Sequence, residues 1–150
     1  MKCQIHAVLW TIFYVAFFST NVRSEEKPVF VGMVFEVNAL VTNNGFVYCD
    51  LYDSDKGFPD DPARALTRVK VRPERTKATC IFPDMKAGRY AVALWHDVNA
   101  DQKLDMNWVG IPTEPVGASN NAKGKLGPPK FQAAAFEYRP PFFKQIILLE

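Results

Sequence analysis

The sequence lacks the motifs that mark the common classes of catalytic site. It contains no Gly-x-Ser-x-Gly nucleophile turn, no glycine-rich phosphate loop and no cysteine beside a plausible general base. Histidine is scarce as well, because His6 lies in the apolar N-terminal segment and leaves only His96 in the rest of the chain. One histidine and two separated cysteines supply too few nitrogen and sulfur ligands for a zinc site.

The chain also lacks a run of basic residues. Of its 18 basic residues only Lys2 and Arg23 fall among the first 24 positions, which hold none of the 16 acids. The chain from residue 25 onward is therefore formally neutral, and it offers no electrostatic footprint for nucleic acid or an anionic membrane. No N-x-S/T sequon is present, so glycosylation gives no indication of a eukaryotic secretory route.

The N-terminal segment is typical of a secretory signal peptide. Lys2 precedes an apolar run over residues 5–18, and Val22 and Ser24 supply small residues at the positions that a signal peptidase recognises. The run is shorter than the roughly 20 residues of a membrane-spanning helix, which is the alternative interpretation. We predict cleavage after Ser24, one domain over residues 25–150, and a secreted protein that is extracellular, or periplasmic in a Gram-negative source.

Two cysteines, Cys49 and Cys80, remain after removal of Cys3 with the signal peptide. An even number of cysteines in an oxidising compartment permits one disulfide. Both residues share the strand parity of apolar neighbours, so both are expected to face the core. Two buried free thiols fit this pattern equally well, because facing one core does not bring two Cα atoms within bonding range.

Period-two alternation dominates the rest of the chain and predicts β-strands with one buried face. About seven candidates are separated by turn signals such as Asn43-Asn44-Gly45. This pattern predicts an all-β fold, a single antiparallel β-sandwich of immunoglobulin-like or transthyretin-like type. A short helix is expected at 61–66, with Asp61 as its cap. The candidate strands are 29–37, 46–52, 67–72, 77–82, 89–96, 132–138 and 142–149.

One connection, residues 97–130, is far longer than the others and has no sustained periodicity. Loops beyond about 12–15 residues in a compact domain are usually functional or disordered. This one carries apolar residues that can pack, including Trp108, Ile111 and Phe131, and is predicted to be ordered. A second acidic stretch, 53–61, is expected at the opposite end of the domain if strand directions alternate.

The start of this loop, HDVNADQKLD at 96–105, sets oxygen-bearing side chains at regular spacing. Calcium takes six to eight hard oxygen ligands, so the spacing predicts a calcium loop. Gln102 and Trp108 stand where an EF-hand has glycine and glutamate, so the loop is not an EF-hand. The alternative is a solvated turn whose Asp and Asn side chains bond their own backbone. The predicted metal ligands are Asp97, Asn99, Asp101, Lys103 through its backbone carbonyl, Asp105 and Glu114.

The run from His96 to Phe131 resembles the secreted, mainly bacterial family catalogued as domain of unknown function 2141. The resemblance covers nearly all of 29–149, and it implies an exported β-sandwich without specifying an activity. One departure is Asp101-Gln102, where members often have Asn-Gly, the dipeptide that most readily makes a left-handed turn. The stretch 82–90 also looks like a turn-and-strand signature of transthyretin-like and collagen-adhesin modules. The matching motif residues are His96, Asp97, Asn99, Asp101, Asp105, Gly110, Pro112, Glu114, Gly117, Ser119, Asn120, Gly127, Pro129 and Phe131.

These patterns together predict a secreted, non-enzymatic module with a calcium-stabilised loop and no catalytic residue. Its partner would be an extracellular ligand, carbohydrate or protein, contacted through His96, Trp108, Ser119 and Asn120. An extracellular, carbohydrate-directed hydrolase that uses Asp97, His96 or Glu114 is the alternative from another class. A structural envelope or matrix module with no ligand is the third.

Overall fold

The computed structural model describes residues 29–150, so the predicted signal peptide at 1–24 lies outside the described residues. This part of the chain is mostly β-strand and contains eight strands rather than seven. One four-residue helix, α1, and two short 3-10 helices lie between the strands. The strands are β1 Gly32–Asn38, β2 Phe46–Tyr52, β3 Thr67–Val71, β4 Ala78–Pro83, β5 Gly88–Asp97, β6 Val116–Ala118, β7 Phe136–Tyr138 and β8 Phe142–Leu148; α1 is Phe131–Ala134.

The strands form two sheets with a shared core. The first sheet has the order β4-β1-β8, and the second has the order β3-β2-β5-β6, with β7 paired to the beginning of β5. Alternate residues of β1 and β2 contribute to the same buried apolar cluster, which places the core between the sheets. The period-two pattern thus identified β1 and β2 and their buried faces.

Strand direction departs from the prediction at one place. β1 pairs with β4 antiparallel but with β8 in parallel, so the expected wholly antiparallel arrangement is wrong for this pair. The chain alternates between the sheets, returning to the first sheet at β4 and again at β8, so two passages through the second sheet separate β1 from β8. Alternating direction holds for strands joined by hairpins, and β1 and β8 are not so joined.

A disulfide joins Cys49 on β2 to Cys80 on β4. Their Cα atoms lie 6.4 Å apart, within the range that a bridge allows. Both residues are fully buried, as their parity with apolar neighbours predicted. Of the two possibilities that the sequence left open, the structure has the bridge, and it ties the two sheets together.

The 3-10 helix near Asp61 was predicted from the sequence, whereas α1 was not. The predicted cap is confirmed: the Asp61 side chain accepts from the Ala63 N–H at the start of the 3-10 helix Pro62–Arg64. The predicted strand at 132–138 is wrong in its first half, which belongs to α1. Phe131 and Ala134 are three positions apart, so one helical turn presses both against the outer face of the second sheet.

The register of the central pair fixes which loops share an end of the molecule. Phe46 pairs with Asp97 and Tyr52 with Ala91, so β2 ends where β5 begins. The acidic stretch 53–61 therefore lies at the opposite end from the loop that follows Asp97, as expected. Within residues 29–150 no helix is long and apolar enough to cross a membrane.

Candidate calcium loop

The loop begins from a strand that is buried almost throughout. β5 is the central strand of its sheet, and its last residue, Asp97, is fully buried beside Phe46 at the start of β2. Gly45 allows this close approach, because it has a φ of +68° and an added Cβ would collide with the Asp97 carbonyl oxygen. The first predicted ligand is therefore held by the sheet itself.

The Asp97 carboxylate organises the first turn of the loop. Its Oδ1 accepts from the Asp101 N–H at 3.2 Å, and its Oδ2 accepts from the Gln102 N–H at 3.0 Å. The Asn99 Oδ1 also accepts from Asp101 N–H, at 3.0 Å. The chain curls tightly enough that Ala100 and Gln102 take φ values of 61° and 69°. Gln102 thus adopts the left-handed conformation for which glycine is favoured.

The Glu114 carboxylate joins the two ends of the acidic stretch. Its Oε1 accepts from the Val98 N–H at 2.8 Å, and its Oε2 accepts from the Asp105 N–H at 3.2 Å. The Thr113 N–H donates to the Asp105 carbonyl oxygen at 2.9 Å. Glu114 is buried, so these bonds are partly shielded from water. The sequence placed Glu114 in the ligand set, and the structure places it against the same loop.

The remaining predicted ligands lie at the loop surface. Asn99 Nδ2 donates to Asp105 Oδ2 at 3.0 Å, and Asp101 Oδ1 accepts from the Lys103 N–H at 2.9 Å. Asn99, Asp101 and Lys103 are exposed. No three His, Cys, Asp or Glu side chains within residues 29–150 form a group that could hold a metal ion. All six predicted ligands therefore lie in one loop. The carboxylate and amide side chains of this loop form hydrogen bonds with other groups of the protein and do not converge on a metal position.

His96 does not lie on a surface, contrary to its place in the predicted recognition surface. Its side chain is fully buried, and its Nε2 donates to the Asn44 carbonyl oxygen at 2.8 Å. Its Nδ1 has no hydrogen-bond partner in the described part of the chain. His96 shares strand parity with Val92 and Leu94, whose side chains belong to the core, and this parity accounts for its burial. A side chain in this position cannot contact an external ligand.

The loop apex is an exposed apolar turn. Trp108 is 96 % exposed and sits in a turn that Asn107 holds together. The Asn107 Oδ1 accepts from the N–H groups of Val109 and Ile111, both at 3.0 Å, and a bridge pairs Met106 with Pro112. The expectation that Trp108 and Ile111 pack is wrong, because both are exposed. Hydrogen bonds to the Asn107 side chain hold this turn instead, and they leave Trp108 displayed.

Ser119 and Asn120, which were also assigned to the recognition surface, form hydrogen bonds that hold neighbouring elements together. The buried Ser119 Oγ accepts from the Val92 N–H at 2.9 Å and donates to the Ala134 carbonyl oxygen at 2.6 Å. The Asn120 Nδ2 lies within 3.3 Å of three carbonyl oxygens at the end of α1. Ser119 fastens α1 to β5 and is buried, whereas Asn120 is exposed at the end of α1. The exposed members of the predicted recognition surface are therefore Trp108 and Asn120.

A family model described as an uncharacterised protein conserved in bacteria (DUF2141) matches residues 18–141. The chain belongs to the DUF2141 family. The match spans the whole of the acidic loop and the segment that carries Ser119 and Asn120. No curated protein and no solved structure matches the chain. Membership therefore confirms the resemblance seen in the sequence and leaves the activity of this DUF2141 protein to be argued from its residues.

A polar cluster that was not predicted from the sequence lies on the outer face of the second sheet of this DUF2141 domain. Arg68 on β3 donates to both carboxylate oxygens of the buried Asp50 on β2, at 2.5 and 2.7 Å. The bonds to Asp50 raise the pKa of Arg68. Tyr48 and Trp95 stack beside this pair with ring centroids 4.7 Å apart. The signal was available, since Asp50 and Arg68 share the parity of outward residues on adjacent strands.

Proposed function

We propose that this protein is an exported, non-enzymatic β-sandwich module, of immunoglobulin-like or transthyretin-like type, whose acidic loop binds calcium. The ordered loop then presents Trp108 to an extracellular ligand, carbohydrate or protein. The two sheets with one core between them support the sandwich, and the arrangement of Asp97 and Glu114 supports the calcium loop.

The observation that carries the proposal is a pair of buried carboxylates without a cationic partner. Asp97 and Glu114 are 0 % and 7 % exposed. The ion pairs among the described residues involve other acids, namely Asp61, Asp50, Glu150 and Glu36. Burial of uncompensated negative charge is costly, and backbone N–H groups offset only part of that cost. A divalent cation in the same loop would offset much of the remainder.

The hydrogen bonds leave these carboxylates able to bind a cation. Each oxygen of Asp97 accepts one N–H, and a carboxylate oxygen has two lone pairs. Binding requires the Asp101 and Asp105 side chains to turn inward, because they do not converge with Asp97 in the structure. The contact between Asn99 and Asp105 would then open. Asn99 and Asp101 are exposed and Asp105 half-buried, so the rearrangement displaces little packing.

The expected stabilisation is modest. Extracellular calcium modules have dissociation constants on the order of 0.1 mM, and roughly 1 mM free calcium then contributes about 1.4 kcal/mol by mass action. For a domain of this size that corresponds to a rise of about 5 °C in Tm. This is enough to order the loop further and too little to fold the domain.

Thermal unfolding of residues 25–150 tests the proposal. We expect Tm to be higher in calcium than in chelator, with a smaller effect of magnesium at the same concentration. Asp105→Ala removes one ligand and should abolish the difference. Asp55→Ala, an exposed acid at the opposite end of β2, is the matched control and should keep it. Superimposable curves for the unaltered protein with and without calcium would contradict the calcium loop.

The same variant separates the alternatives. In a hydrolase that uses Asp97 or Glu114, Asp105→Ala would abolish turnover of a sugar substrate. In a ligand-free structural module it would change little beyond local loop order. The geometry argues against the hydrolase, because both oxygens of Asp97 and of Glu114 accept backbone N–H groups. The same hydrogen bonds are compatible with a ligand-free module, which the comparison of calcium with chelator distinguishes from a calcium loop.

A further inference from the structure

The strands β3 and β4 follow each other in the chain but belong to different sheets. β3 pairs with β2 and β4 with β1, so each is an edge strand. Glu74 and Lys77 exchange two backbone hydrogen bonds, of 2.8 and 3.0 Å, and close the turn between the strands. Among the described residues neither strand makes a backbone hydrogen bond along its outward edge. Two unpaired edges therefore border one opening between the sheets.

An apolar groove occupies this opening at the end away from the turn. It has a volume of about 570 Å³, with Phe82 and Tyr90 from the core at its base and Val69 and Ile81 on its two sides. Leu66, which is 50 % exposed, lies at the rim. The groove lies near the Leu51 end of β2, far from the acidic loop.

The outward face of β3 is basic. Arg68, Lys70 and Arg72 alternate with the residues that face the core, and all three are exposed. Arg68 is bound to Asp50, but Lys70 and Arg72 take part in no ion pair among the described residues. They lie over the Phe46 ring instead, at 3.9 and 4.9 Å from its centroid. Two positive charges thus lie on the outward face of the second sheet, over β2 beside β3, without carboxylate partners.

We propose that the β3 edge binds an extended segment of a partner protein in which apolar and acidic residues alternate. A segment paired with β3 would continue the second sheet, so its successive side chains would point to opposite faces. One set would enter the groove beside Val69, and the other would lie next to Lys70 and Arg72. The proposal is independent of the calcium loop.

The charges on β3 argue against a second copy of this chain as the occupant. Pairing of β3 with β3 from another molecule would set Lys70 and Arg72 beside the same residues of the partner, and like charges directly opposite are destabilising. Basic residues also protect exposed edges from unwanted pairing in many proteins. A purely protective role predicts no preference for any peptide, whereas the proposed binding role predicts one, so a binding measurement distinguishes them.

The test uses a fluorescent peptide of alternating valine and glutamate, long enough to pair with the whole of β3. We expect it to bind at least about tenfold more tightly than a peptide of the same composition with all glutamates in one block, because only alternation separates the two sets of side chains. Amide hydrogen exchange of the complex should slow along β3. Equal affinity for the two peptides would overturn the proposal, as would self-association of the free protein through β3 in sedimentation.

Charge reversal locates the site. Lys70→Glu with Arg72→Glu should weaken the valine–glutamate peptide roughly tenfold or more and create binding of a valine–lysine peptide, which a merely unfolded variant would not do. Lys125→Glu with Lys130→Glu changes the net charge equally at other exposed positions and should leave both affinities unchanged. Leu66→Asp, at the rim of the groove, should lower the affinity for the valine–glutamate peptide without altering the core. Equal effects of the two double variants would overturn the proposal.

Discussion

At the scale of single residues, the acidic loop depends on two carboxylates that do different things. Asp97 holds the turn up to Gln102, while Glu114 holds the beginning of the loop against Asp105. The sequence predicted that both belong to the loop, because their spacing and residue type suggested ligands. It did not predict their use of backbone N–H groups, because hydrogen-bond partners nine and sixteen positions apart depend on the path of the chain.

Burial of Tyr52 leads to a prediction for alkaline pH. Burial, and secondarily the charge of Asp50, raise the pKa of this phenol, whose hydroxyl donates to the Pro59 carbonyl oxygen at 3.2 Å. A phenol with a raised folded pKa stabilises the protein fully below its unfolded pKa of about 10, and this contribution declines as pH rises toward the folded value. Stability of the native protein should therefore fall steeply above pH 10.

Tyr52→Phe removes this ionisation. At pH 7 we expect the variant to be about 1 kcal/mol less stable than the native protein, because it lacks the hydrogen bond to the Pro59 carbonyl oxygen. Above pH 10 the difference in unfolding free energy between the native protein and the variant should shrink by about 1.4 kcal/mol per pH unit, because the variant has no phenol at this position to ionise on unfolding. Urea unfolding at a series of pH values measures both quantities. Parallel stability curves for the two proteins from pH 8 to pH 11 would contradict the assignment.

At the scale of elements, long alternating segments were predictable and short ones were not. β2 has the predicted bounds, and β5 differs by one residue at each end. β6 and α1 were missed because three or four residues do not contain a recognisable period. Both are defined by tertiary contacts instead: β6 pairs with β5, and α1 covers the outer face of the second sheet.

The attachment of α1 through Ser119 can be measured. Ser119→Ala removes a buried hydroxyl and leaves the Val92 N–H and the Ala134 carbonyl oxygen without this partner. The Ala134 carbonyl oxygen still accepts from Asn120 Nδ2, so the Val92 N–H is the group left unsatisfied. One such buried group costs about 1–3 kcal/mol, and we expect a loss in that range in urea unfolding. Hydrogen exchange should also accelerate at Ala135, whose N–H closes α1 onto Phe131. Thr113→Ala, at an exposed loop position, is the control; equal losses in the two variants would count against the tie.

At the scale of the whole molecule, the order of strands in the sheets is the part that sequence reasoning could not supply. The pattern of buried faces predicted an all-β fold, but the parallel pair of β1 and β8 joins residues over 100 positions apart. Pairing over that distance is decided by which sheet the chain re-enters, and local periodicity carries no information about it. The same limit left the bridge between Cys49 and Cys80 open until their separation in space was known.

The disulfide gives the last prediction at this scale. Cys49 and Cys80 are 31 positions apart and lie on different sheets, so the bridge restricts the unfolded chain and fastens the two sheets. The loop-closure relation for this length gives about 3.7 kcal/mol, near the middle of the range for native disulfides. We expect Cys49→Ala with Cys80→Ala to lose about 2–5 kcal/mol in urea unfolding. Reductant should lower the stability of the unaltered protein by a similar amount and leave the double variant unchanged, since it has no bridge to lose. A reductant effect of equal size in both proteins would show that the loss does not come from this bridge.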